Sequence, residues 1–411
     1  MNVEIITIGD EVLRGETTEN NTVWLSMVMT AAGLSPSRGT ALPDDIDIIR
    51  DELSAAAARS EAVIVTGGLG PTVDDVTRQA AIDAFGGEVE IRDEIVAGIK
   101  RRFGEIGFAM PEGYMDLARI PAGAEVLDNT VGAAPGLALK AGGCRIFMLP
   151  GVPAEMKEIF ERLVLPQLTS GSQEWRKVLR VYGLMETEVE KRVATLLGAD
   201  ELEQLSIISS PGGISVYLPA GIDAGTAAKA AESLGDNLFG EGRDQLEEIV
   251  VGMLRERGIT LSTAESITGG MLASMIVSVP GASETFLEGY ITYSNESKFR
   301  ILGVGEKSIE AAGAVSEEVC GQMAEGARKN SGADIALSTT GIAGPGGATP
   351  GKPVGLCWMG LARAGVTECR HRRMAGGRGM IRLRTAYICL DMLRRSLTGS
   401  DPVMDSKSDR L

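Results

Sequence analysis

The chain has 411 residues, of which 44% are hydrophobic, a composition that predicts a folded protein of two or three domains. Its formal net charge of −16 would repel phosphate backbones over most of the surface, which disfavours general nucleic-acid binding. No window approaches the roughly 18 uninterrupted apolar residues of a membrane helix, and MNVEIITIGDEVL lacks the basic segment of a signal peptide. We therefore expect a cytoplasmic protein without a membrane partner.

Residues 1–170 alternate short apolar runs with segments of helical periodicity, which is typical of an α/β domain. Strands are predicted at VEIITIG, AVIVTGG and CRIFMLPG. Helices are predicted at NNTVWLSMVMTAAG, DDIDIIRDELSAAAARS, DDVTRQAAIDAFGG and PAEMKEIFERLVLPQL. This spacing predicts a mostly parallel sheet with helices on both faces, a three-layer α/β arrangement. The polar segment TSGSQE at residues 169–174 predicts a linker.

Residues 171–242 predict a small α+β connector domain. The predicted elements are a strand at WRKVLRVYG, a helix at METEVEKRVATLLG, a hairpin at LSIISSPGGISVYLPA and a helix at DAGTAAKAAESLGDNLFG. This segment contains no group of residues with evident chemistry. We expect it to act as a spacer or in dimerisation, and we expect the protein to be a homodimer.

Residues 243–398 predict a second α/β domain, which begins with the helix DQLEEIVVGMLRERG and the strand ITLSTA. Further strands are predicted at TFLEGYITYS, ADIALSTTG, VGLCWMGLARA and TECRHRR. The domain ends with the helix GMIRLRTAYICLDMLRRSL. Residues 399–411 form a polar tail, for which we expect no fixed structure.

A glycine loop follows a predicted strand in VIVTGGLGPTVDDVTRQ, and two acids stand just before the next helix. Glycines let backbone N–H groups approach phosphate oxygens, and a helix N-terminus adds a favourable partial charge. A second acidic turn, IGDEVLRGE, follows the first strand and should lie at the same carboxyl edge of the sheet. Acids there suit a divalent ion that bridges a pyrophosphate. The residues predicted to bind the anion are Gly67, Gly68, Gly70 and Thr72, and those predicted to bind the metal are Asp10, Asp74 and Asp75.

The alternative is that Asp75 only caps a helix and that the glycines only form a turn. The motifs GDEVLRGETTENN, TGGLGPTVDDVTR, GAAPG and LPGVPAEMK resemble the N-terminal domain of the CinA family, which is similar to molybdopterin-binding domains. The resemblance implies a pyrophosphatase that uses a divalent metal ion and converts ADP-ribose to AMP and ribose 5-phosphate. A pterin-binding or carrier domain without catalysis is the alternative.

Histidine and cysteine usage restricts the chemistry further. The single histidine, His371, lies among arginines in ECRHRRM, which predicts an exposed strand end and excludes a histidine-based metal cluster. The five cysteines are dispersed without CxxC spacing, which predicts buried thiols rather than disulfides or a zinc site. Acid–base chemistry in this chain is therefore expected from lysine, tyrosine or carboxylates.

A second group of residues follows the strands of the last domain. Ser266 stands in TAESITGG, and GYITYSNESKFRILG places Tyr293 at a strand end and Lys298 at the start of a helix. Serine needs a base to take its proton, and lysine can serve only if burial or nearby positive charge lowers its pKa. We expect Tyr293 to relay the proton and the amides of Gly269 and Gly270 to stabilise an oxyanion. The structural alternatives are that Ser266 only caps a helix, that Tyr293 only fills the core and that Lys298 is a solvated helix residue.

The segments TAESITGGMLAS, YSNESKFRILGV, GAVSEEV, TTGIAGPGGATPGKPVG and GGRGMIRLR resemble the C-terminal amidase domain of the CinA family. The resemblance implies that Ser266, Tyr293 and Lys298 convert nicotinamide mononucleotide to nicotinate mononucleotide and ammonia, without a cofactor. Ile267 departs from the family pattern, in which cysteine is usual, and is expected to alter the pocket. The residues expected to contact the substrate are Gly269, Gly270, Thr340, Gly341 and Arg378.

The sequence thus predicts a bifunctional hydrolase of pyridine-nucleotide recycling, with nicotinamide mononucleotide and ADP-ribose as ligands. For Arg378 and Arg382, a phosphate contact and a solvated helix face are alternatives. A non-enzymatic alternative for the whole chain is an interaction protein that acts in competence or DNA damage.

Overall fold

The computed structural model describes residues 1–86, 88–105, 107–169 and 177–400. Most of the linker predicted at residues 169–174, the first residues of WRKVLRVYG and residues 401–411 of the predicted tail lie outside these ranges. The chain divides into two compact units, Met1–Arg176 and Lys177–Leu411. Among the described residues, no helix combines the length and the apolar character required to cross a bilayer.

The strands of the first unit are β1 (Val3–Ile8), β2 (Pro36–Leu42), β3 (Ala62–Thr66), β4 (Val89–Ile91), β5 (Arg119–Pro121), β6 (Glu125–Leu127), β7 (Gly136–Ala141) and β8 (Cys144–Leu149). Its helices are α1 (Asp10–Leu13), α2 (Asn21–Ala31), α3 (Ile46–Arg59), α4 (Thr77–Phe85), α5 (Asp93–Glu105), α6 (Pro153–Ile159) and α7 (Leu165–Leu168). A 3₁₀ helix spans Glu112–Ala118, and a π-helical turn, Phe160–Val164, joins α6 to α7.

The main sheet of this unit has the order β2-β1-β3-β8-β7-β6. The neighbouring strands β2, β1, β3 and β8 run parallel, as predicted. In contrast, β7 is antiparallel to both β8 and β6. The prediction missed this antiparallel edge because a tight Gly142-Gly143 turn joins β7 to β8 as a hairpin. β4 and β5 form a separate antiparallel pair.

The sheet is covered on both faces, which confirms the predicted three layers. Alternate residues of β1 point to opposite faces, so Ile6 packs with α3, α4 and α5 while Ile5 packs with α2 and α6. α3 illustrates the local rules: Asp45 accepts hydrogen bonds from the N–H groups of Asp47 and Ile48 at 3.0 Å and caps the helix. The helix then buries one apolar stripe against the sheet.

The second unit begins with β9 (Val178–Val181), α8 (Glu186–Ala194), α9 (Ala199–Leu202), β10 (Ser206–Ser210), β11 (Gly213–Tyr217), α10 (Ala224–Leu234) and β12 (Leu238–Glu241). These strands form an antiparallel sheet in the order β10-β11-β9-β12, in which β10 and β11 are the predicted hairpin. The sequence did not predict β12, which follows α10 after a 3₁₀ turn at Gly235–Asn237.

The rest of the unit contains α11 (Leu246–Arg257), β13 (Leu261–Glu265), α12 (Met271–Val277), β14 (Phe286–Ile291), α13 (Asn295–Leu302), α14 (Glu306–Ala312), α15 (Glu317–Ser331), β15 (Ile335–Gly341), β16 (Leu356–Arg363), β17 (Val366–Arg373) and α16 (Arg378–Thr398). The sheet order is β14-β13-β15-β16-β17. β13 runs parallel to both of its neighbours, whereas β15, β16 and β17 are successively antiparallel.

A buried ionic group joins the four-stranded sheet region to α16. Asp391 accepts hydrogen bonds from Arg394 at 2.6 Å and from the fully buried Arg395 at 2.7 Å. Arg395 also donates to the Asn237 side chain at 2.9 Å, and Arg394 donates to the Asp236 carbonyl at 2.8 Å. The two guanidinium groups therefore share one carboxylate and reach across to the segment that precedes β12.

Candidate functional site

The predicted serine lies where three parallel strands end side by side. Ser266 follows β13, Tyr293 follows β14, and Gly341 ends β15. The backbone N–H of Ser266 donates to the Thr339 carbonyl at 2.9 Å, which extends the β13–β15 ladder by one residue. The carboxyl edge of this parallel sheet thus presents the Ser266 side chain, which is half-buried.

Lys298 points into this edge from α13. Its side chain is 1% exposed, and its Nζ donates to Ser266 Oγ at 3.1 Å. The same amine donates to the carbonyls of Thr292 at 2.8 Å and Tyr293 at 3.3 Å. Burial lowers the pKa of Lys298 to about 8, because the charged amine loses water. A buried amine of lowered pKa within hydrogen-bond distance of a serine hydroxyl can take the proton of that hydroxyl.

Glu265 holds the loop that follows the serine, and the sequence did not single it out. Its carboxylate is 1% exposed and accepts hydrogen bonds from the N–H groups of Gly270 at 2.9 Å, Leu272 at 3.1 Å and Ala273 at 2.8 Å. The first turn of α12 is therefore capped by the residue that precedes Ser266. The prediction that the Gly270 amide stabilises an oxyanion is wrong, because that N–H already has an acceptor.

The Tyr293 side chain does not lie between the serine and the lysine. It is 64% exposed, and its hydroxyl accepts a hydrogen bond from Arg378 Nη2 at 3.2 Å. It is the backbone carbonyl of Tyr293 that contacts the amine of Lys298. Since Lys298 contacts Ser266 directly, no relay through the tyrosine hydroxyl is required. Arg378 also donates to the Gly344 carbonyl at 3.1 Å, which fixes the start of α16 beside the tyrosine.

Other residues predicted to bind substrate have structural roles. Thr340 is 1% exposed, and its hydroxyl donates to the Ala314 carbonyl at 2.8 Å. A Cβ at Gly341 would lie 2.7 Å from Ile267 Cδ1, so Ile267 fills the space beside this glycine. Arg382 donates to the carbonyls of Ile267 at 3.2 Å and Thr268 at 2.7 Å, and so anchors the loop that contains Gly269. Arg382 is therefore not simply part of a solvated helix face, and the phosphate contact stays a prediction.

His371 and the cysteines lie apart from the serine. His371 is half-buried within β17 and stacks on Trp358 with 4.6 Å between ring centres, so the predicted exposed strand end is wrong. β17 is separated from β13 by β15 and β16. The five cysteines are free, and four of them are buried, as predicted.

A cavity of about 450 Å³ lies at the carboxyl edge of the sheet in the first unit. It is lined by the predicted glycine loop, the predicted acids Asp74 and Asp75, and the turn after β1. Gly67 has a φ of +106°, and a Cβ there would lie 2.1 Å from the Ile8 carbonyl oxygen, so only glycine fits. The buried Arg78 donates to the carbonyls of Leu69 and Gly70, and these hydrogen bonds hold the loop against the interior of the unit.

The glycine loop is closed by its own residues. Asp75 accepts hydrogen bonds from the N–H groups of Gly70 at 2.7 Å and Thr72 at 2.8 Å, and also from the Thr72 hydroxyl. The N–H of Gly67 donates to the Leu149 carbonyl at 3.1 Å, and the carbonyl of Gly68 accepts from Thr77 at 3.1 Å. The predicted binding of an anion by backbone amides is therefore wrong for Gly67, Gly70 and Thr72, because their N–H groups already have acceptors within the protein. Of the structural alternative, the glycine turn is observed but the helix cap is not, because Asp75 bonds within the loop and α4 follows Val76 without a side-chain cap.

The acids of this cavity do not form a ready metal site. Asp10 pairs with Arg14 at 2.5 Å, and both carboxylate oxygens of Asp75 accept hydrogen bonds from the loop. Within the described ranges, no three histidine, cysteine, aspartate or glutamate side chains are grouped to hold a metal ion. The three predicted ligands, Asp10, Asp74 and Asp75, thus do not fit a divalent ion as they stand.

Asp44 is a cavity residue that the sequence did not reveal. Asp44 and Asp10 exchange hydrogen bonds: the N–H of Asp10 donates to Asp44 Oδ2 at 2.8 Å, and the N–H of Asp44 donates to Asp10 Oδ1 at 3.4 Å. Burial raises the pKa of Asp44, and the nearby charges of Glu11, Asp10 and Asp74 raise it further. Asp44 follows β2, a strand that the sequence did not predict because Pro36 and Gly39 weaken its pattern.

Two segments of the chain match known protein families. Residues 243–397 match the model of the CinA C-terminal domain, and residues 4–170 match that of a probable molybdopterin binding domain. A CinA-like protein of Kosmotoga olearia is 40% identical over 408 residues, which cover 97% of this chain and 99% of the relative. The chain belongs to the CinA family.

A second relative of similar length supports this assignment. A putative competence-damage inducible protein of Caldicellulosiruptor saccharolyticus is 38% identical over 97% of this chain and 99% of its own length. Among solved structures, the competence/damage inducible protein CihA of Agrobacterium tumefaciens is 39% identical, covering 37% of this chain and 93% of its own, with a TM-score of 0.36. The protein CinA of Thermoplasma acidophilum, described as of unknown function, is 34% identical over 39% of this chain and 94% of its own, with a TM-score of 0.37.

Proposed function

We propose that this CinA family chain is a bifunctional hydrolase whose C-terminal part is a serine amidase. The single observation that supports this most is the 3.1 Å contact between Lys298 Nζ and Ser266 Oγ in a buried setting. The substrate proposed from the family resemblance is nicotinamide mononucleotide, which would be converted to nicotinate mononucleotide and ammonia.

The proposed reaction begins with neutral Lys298. Its amine takes the proton of Ser266 as Oγ attacks the carboxamide carbon, which gives a tetrahedral adduct. The protonated amine then gives that proton to the leaving nitrogen, ammonia departs, and an ester to Ser266 remains. Water attacks the ester carbon, Lys298 accepts a proton from the water, and the serine oxygen takes that proton as the carboxylic acid product leaves and releases its own proton to solvent. No metal or cofactor takes part in this half of the proposal.

Arg378 and Tyr293 provide the recognition in this proposal. Both are exposed at the mouth of the site, and their side chains contact each other at 3.2 Å. A guanidinium group beside a phenol suits the phosphate of a mononucleotide, since charge-assisted hydrogen bonds to phosphate are strong. Tyr293 is therefore assigned to substrate binding rather than to proton relay.

Replacement of the serine tests the amidase. Ser266→Ala should abolish ammonia release from nicotinamide mononucleotide, measured with a coupled ammonia assay on the full-length protein. Ser274→Ala, which changes an exposed serine on the following helix, is the matched control and should keep full activity. Undiminished ammonia release by Ser266→Ala would falsify the assignment.

For the first unit we propose hydrolysis of ADP-ribose to AMP and ribose 5-phosphate in the 450 Å³ cavity. The position of this cavity at the carboxyl edge of the sheet, together with the family resemblance, supports the proposal. Asp75→Ala should open the glycine loop and lower AMP formation at least tenfold, whereas the exposed Asp83→Ala on α4 should not. The family resemblance implies a metal dependence that the ungrouped acids of the cavity do not support, and assays with and without a divalent ion test it.

A second candidate for this unit is binding of a pterin without catalysis. The observation that favours it is that the predicted metal ligands are not grouped. Titration of the full-length protein with molybdopterin and with ADP-ribose separates the two: tight pterin binding without AMP formation supports the carrier. Absence of both activities, together with a protein or DNA partner, would instead support a role in competence, as the names of the relatives suggest.

A further inference from the structure

A cavity of about 730 Å³ in the second unit lies outside the serine site. Its walls come from the β9–α8 connection, the β10–β11 turn, the end of β17 and the outer side of α16. The volume falls within the roughly 300–1,000 Å³ of small-molecule sites in proteins. The cavity therefore has room for a nucleotide.

The lining of this cavity is cationic, although the chain carries a net charge of −16. Two arginines end β17, one lies on α16 and one on α8; these are Arg372, Arg373, Arg384 and Arg192. In an acidic protein, a local group of four guanidinium side chains creates a site of positive potential. Such a site attracts an anion.

The carboxylates of the cavity are already engaged. Glu188 pairs with Arg192 at 2.9 Å, and Glu186 accepts a hydrogen bond from the Ser209 hydroxyl. In contrast, the two guanidinium groups at the end of β17 form neither a hydrogen bond nor an ion pair within the part of the chain that the structure describes. An anion between them would relieve the repulsion of adjacent positive charges.

The start of α8 adds neutral donors to the same cavity. The residue before the helix, Met185, provides no side-chain cap, and its carbonyl accepts the N–H groups of Glu188 and Val189 at 3.0 Å. The remaining N–H groups at this helix start belong to Glu186 and Thr187, which line the cavity. Uncapped N–H groups at a helix start favour a phosphate oxygen. Tyr182, Met374 and Ile388 supply apolar surface on which a nucleoside can pack.

We infer that this cavity binds a nucleoside monophosphate, with its phosphate held by Arg372, Arg373 and Arg384. Through Arg384, the bound ligand would also affect the serine site, an effect that rests on the proposed amidase function. Arg384 donates to the Ala375 carbonyl at 3.0 Å, in the short connection that leads to Arg378. A phosphate on Arg384 competes with that carbonyl and shifts the connection that positions Arg378 beside Tyr293.

Calorimetric titration of the full-length protein with AMP tests the site. The double variant Arg372→Glu/Arg373→Glu should lose one bound equivalent of AMP, or bind it at least tenfold more weakly than wild type. Lys307→Glu/Lys329→Glu makes the same change in net charge on exposed helix positions and should bind as wild type does. Equal AMP binding by all three proteins overturns the site.

Two further measurements make the result decisive. Arg384→Gln on the exposed side of α16 replaces the double variant if the latter melts early, and should also bind AMP more weakly. Adenosine, which lacks the phosphate, should bind at least tenfold more weakly than AMP to wild type. Equal binding of adenosine and AMP overturns the assignment of the phosphate to the arginines.

The amidase assay tests the connection between the two sites. In wild type and in the lysine control, AMP should change the KM for nicotinamide mononucleotide at least twofold, and the double arginine variant should lose this change. An unchanged KM in wild type, or a change that persists in the double variant, overturns the connection. If wild type releases no ammonia, the proposed amidase fails while the titration still decides the binding site.

Discussion

At the scale of single residues, Lys298 decides the proposed chemistry. The sequence could state the requirement, a lysine of lowered pKa near Ser266, but not that the two side chains meet. The structure places the amine at the serine and surrounds it with backbone carbonyls instead of a carboxylate. Because carbonyl oxygens carry no full charge, they satisfy the hydrogen bonds of the amine without raising its pKa as an ion pair would.

The pH dependence of the amidase follows from this residue. The neutral amine is the active form, and burial lowers the pKa of Lys298 to about 8. We expect kcat/KM for ammonia release to increase with pH, with a midpoint near 8 and a plateau above it. Rates measured from pH 6 to 10 under constant ionic strength check this. An activity that falls over this range would contradict Lys298 as the base.

The same residue should destabilise the fold at neutral pH. Burial lowers the pKa of Lys298 to about 8 in the folded protein, whereas an exposed lysine has a pKa of about 10.5, so the unfolded chain binds the proton more tightly. Stability associated with this group therefore increases as pH rises from about 8 to 10.5, and below 8 the charged amine costs roughly 3 kcal/mol.

Lys298→Met tests this cost. We expect the variant to be inactive but about 1 kcal/mol more stable than wild type at pH 7, after loss of the hydrogen bonds of the amine is deducted. Urea denaturation at pH 7 and at pH 10 should show that the advantage shrinks at the higher pH. An advantage that grows with pH would contradict a lowered pKa.

At the scale of elements, alternating and helical patterns predicted most strands and helices in the correct order. β13, β15 and β16 are apolar runs flanked by polar turns, and the structure confirms each of them. β2 was missed because Pro36 and Gly39 interrupt its pattern, and Asp44, which follows it, was missed with it. Local sequence also could not show that Asp75 folds back onto its own loop, since that depends on the turn geometry.

Glu265 illustrates how an element supports the serine. Glu265→Ala removes the acceptor of three buried or half-buried N–H groups at the start of α12 and should destabilise the protein by about 3 kcal/mol or more. Ammonia release should fall with it, because the loop that carries Ser266 loses its anchor. Glu265→Gln, which keeps an acceptor oxygen, should lose less of both. Thermal melts and the ammonia assay measure the two effects.

The exposed Glu256→Ala on α11 is the control for this experiment and should behave as wild type does in both measurements. Equal stability of Glu265→Ala and wild type would show that the cap is not needed. Equal activity of the two Glu265 variants would show that it does not position the serine loop.

At the scale of the whole molecule, the chain was predicted to have three domains, and the structure shows two compact units. The four-stranded sheet region shares a unit with the C-terminal sheet, to which it is joined by the buried group around Asp391. Such a junction is invisible in one sequence because its members are far apart along the chain. The expected homodimer stays a prediction, which sedimentation equilibrium would test.

Removal of the shared carboxylate should loosen this junction. Asp391→Ala leaves two buried guanidinium groups without their counter-charge and should destabilise the second unit by about 3–5 kcal/mol. Limited proteolysis should then cut residues 177–242 faster than in wild type. The exposed Glu310→Ala is the control. A wild-type melting temperature for Asp391→Ala would contradict the role of the ionic group.

The final helix, α16, serves both ends of the second unit. Its first turns carry Arg378 and Arg382 beside the serine loop, and its last turns carry Asp391 and Arg395 at the junction. A premature stop codon after residue 382 would therefore leave the recognition arginine, Arg378, and the loop anchor, Arg382, encoded, yet it would remove the residues that hold the preceding region in place. Nonsense alleles late in the gene should consequently behave as folding mutants, even though every proposed catalytic side chain is still translated.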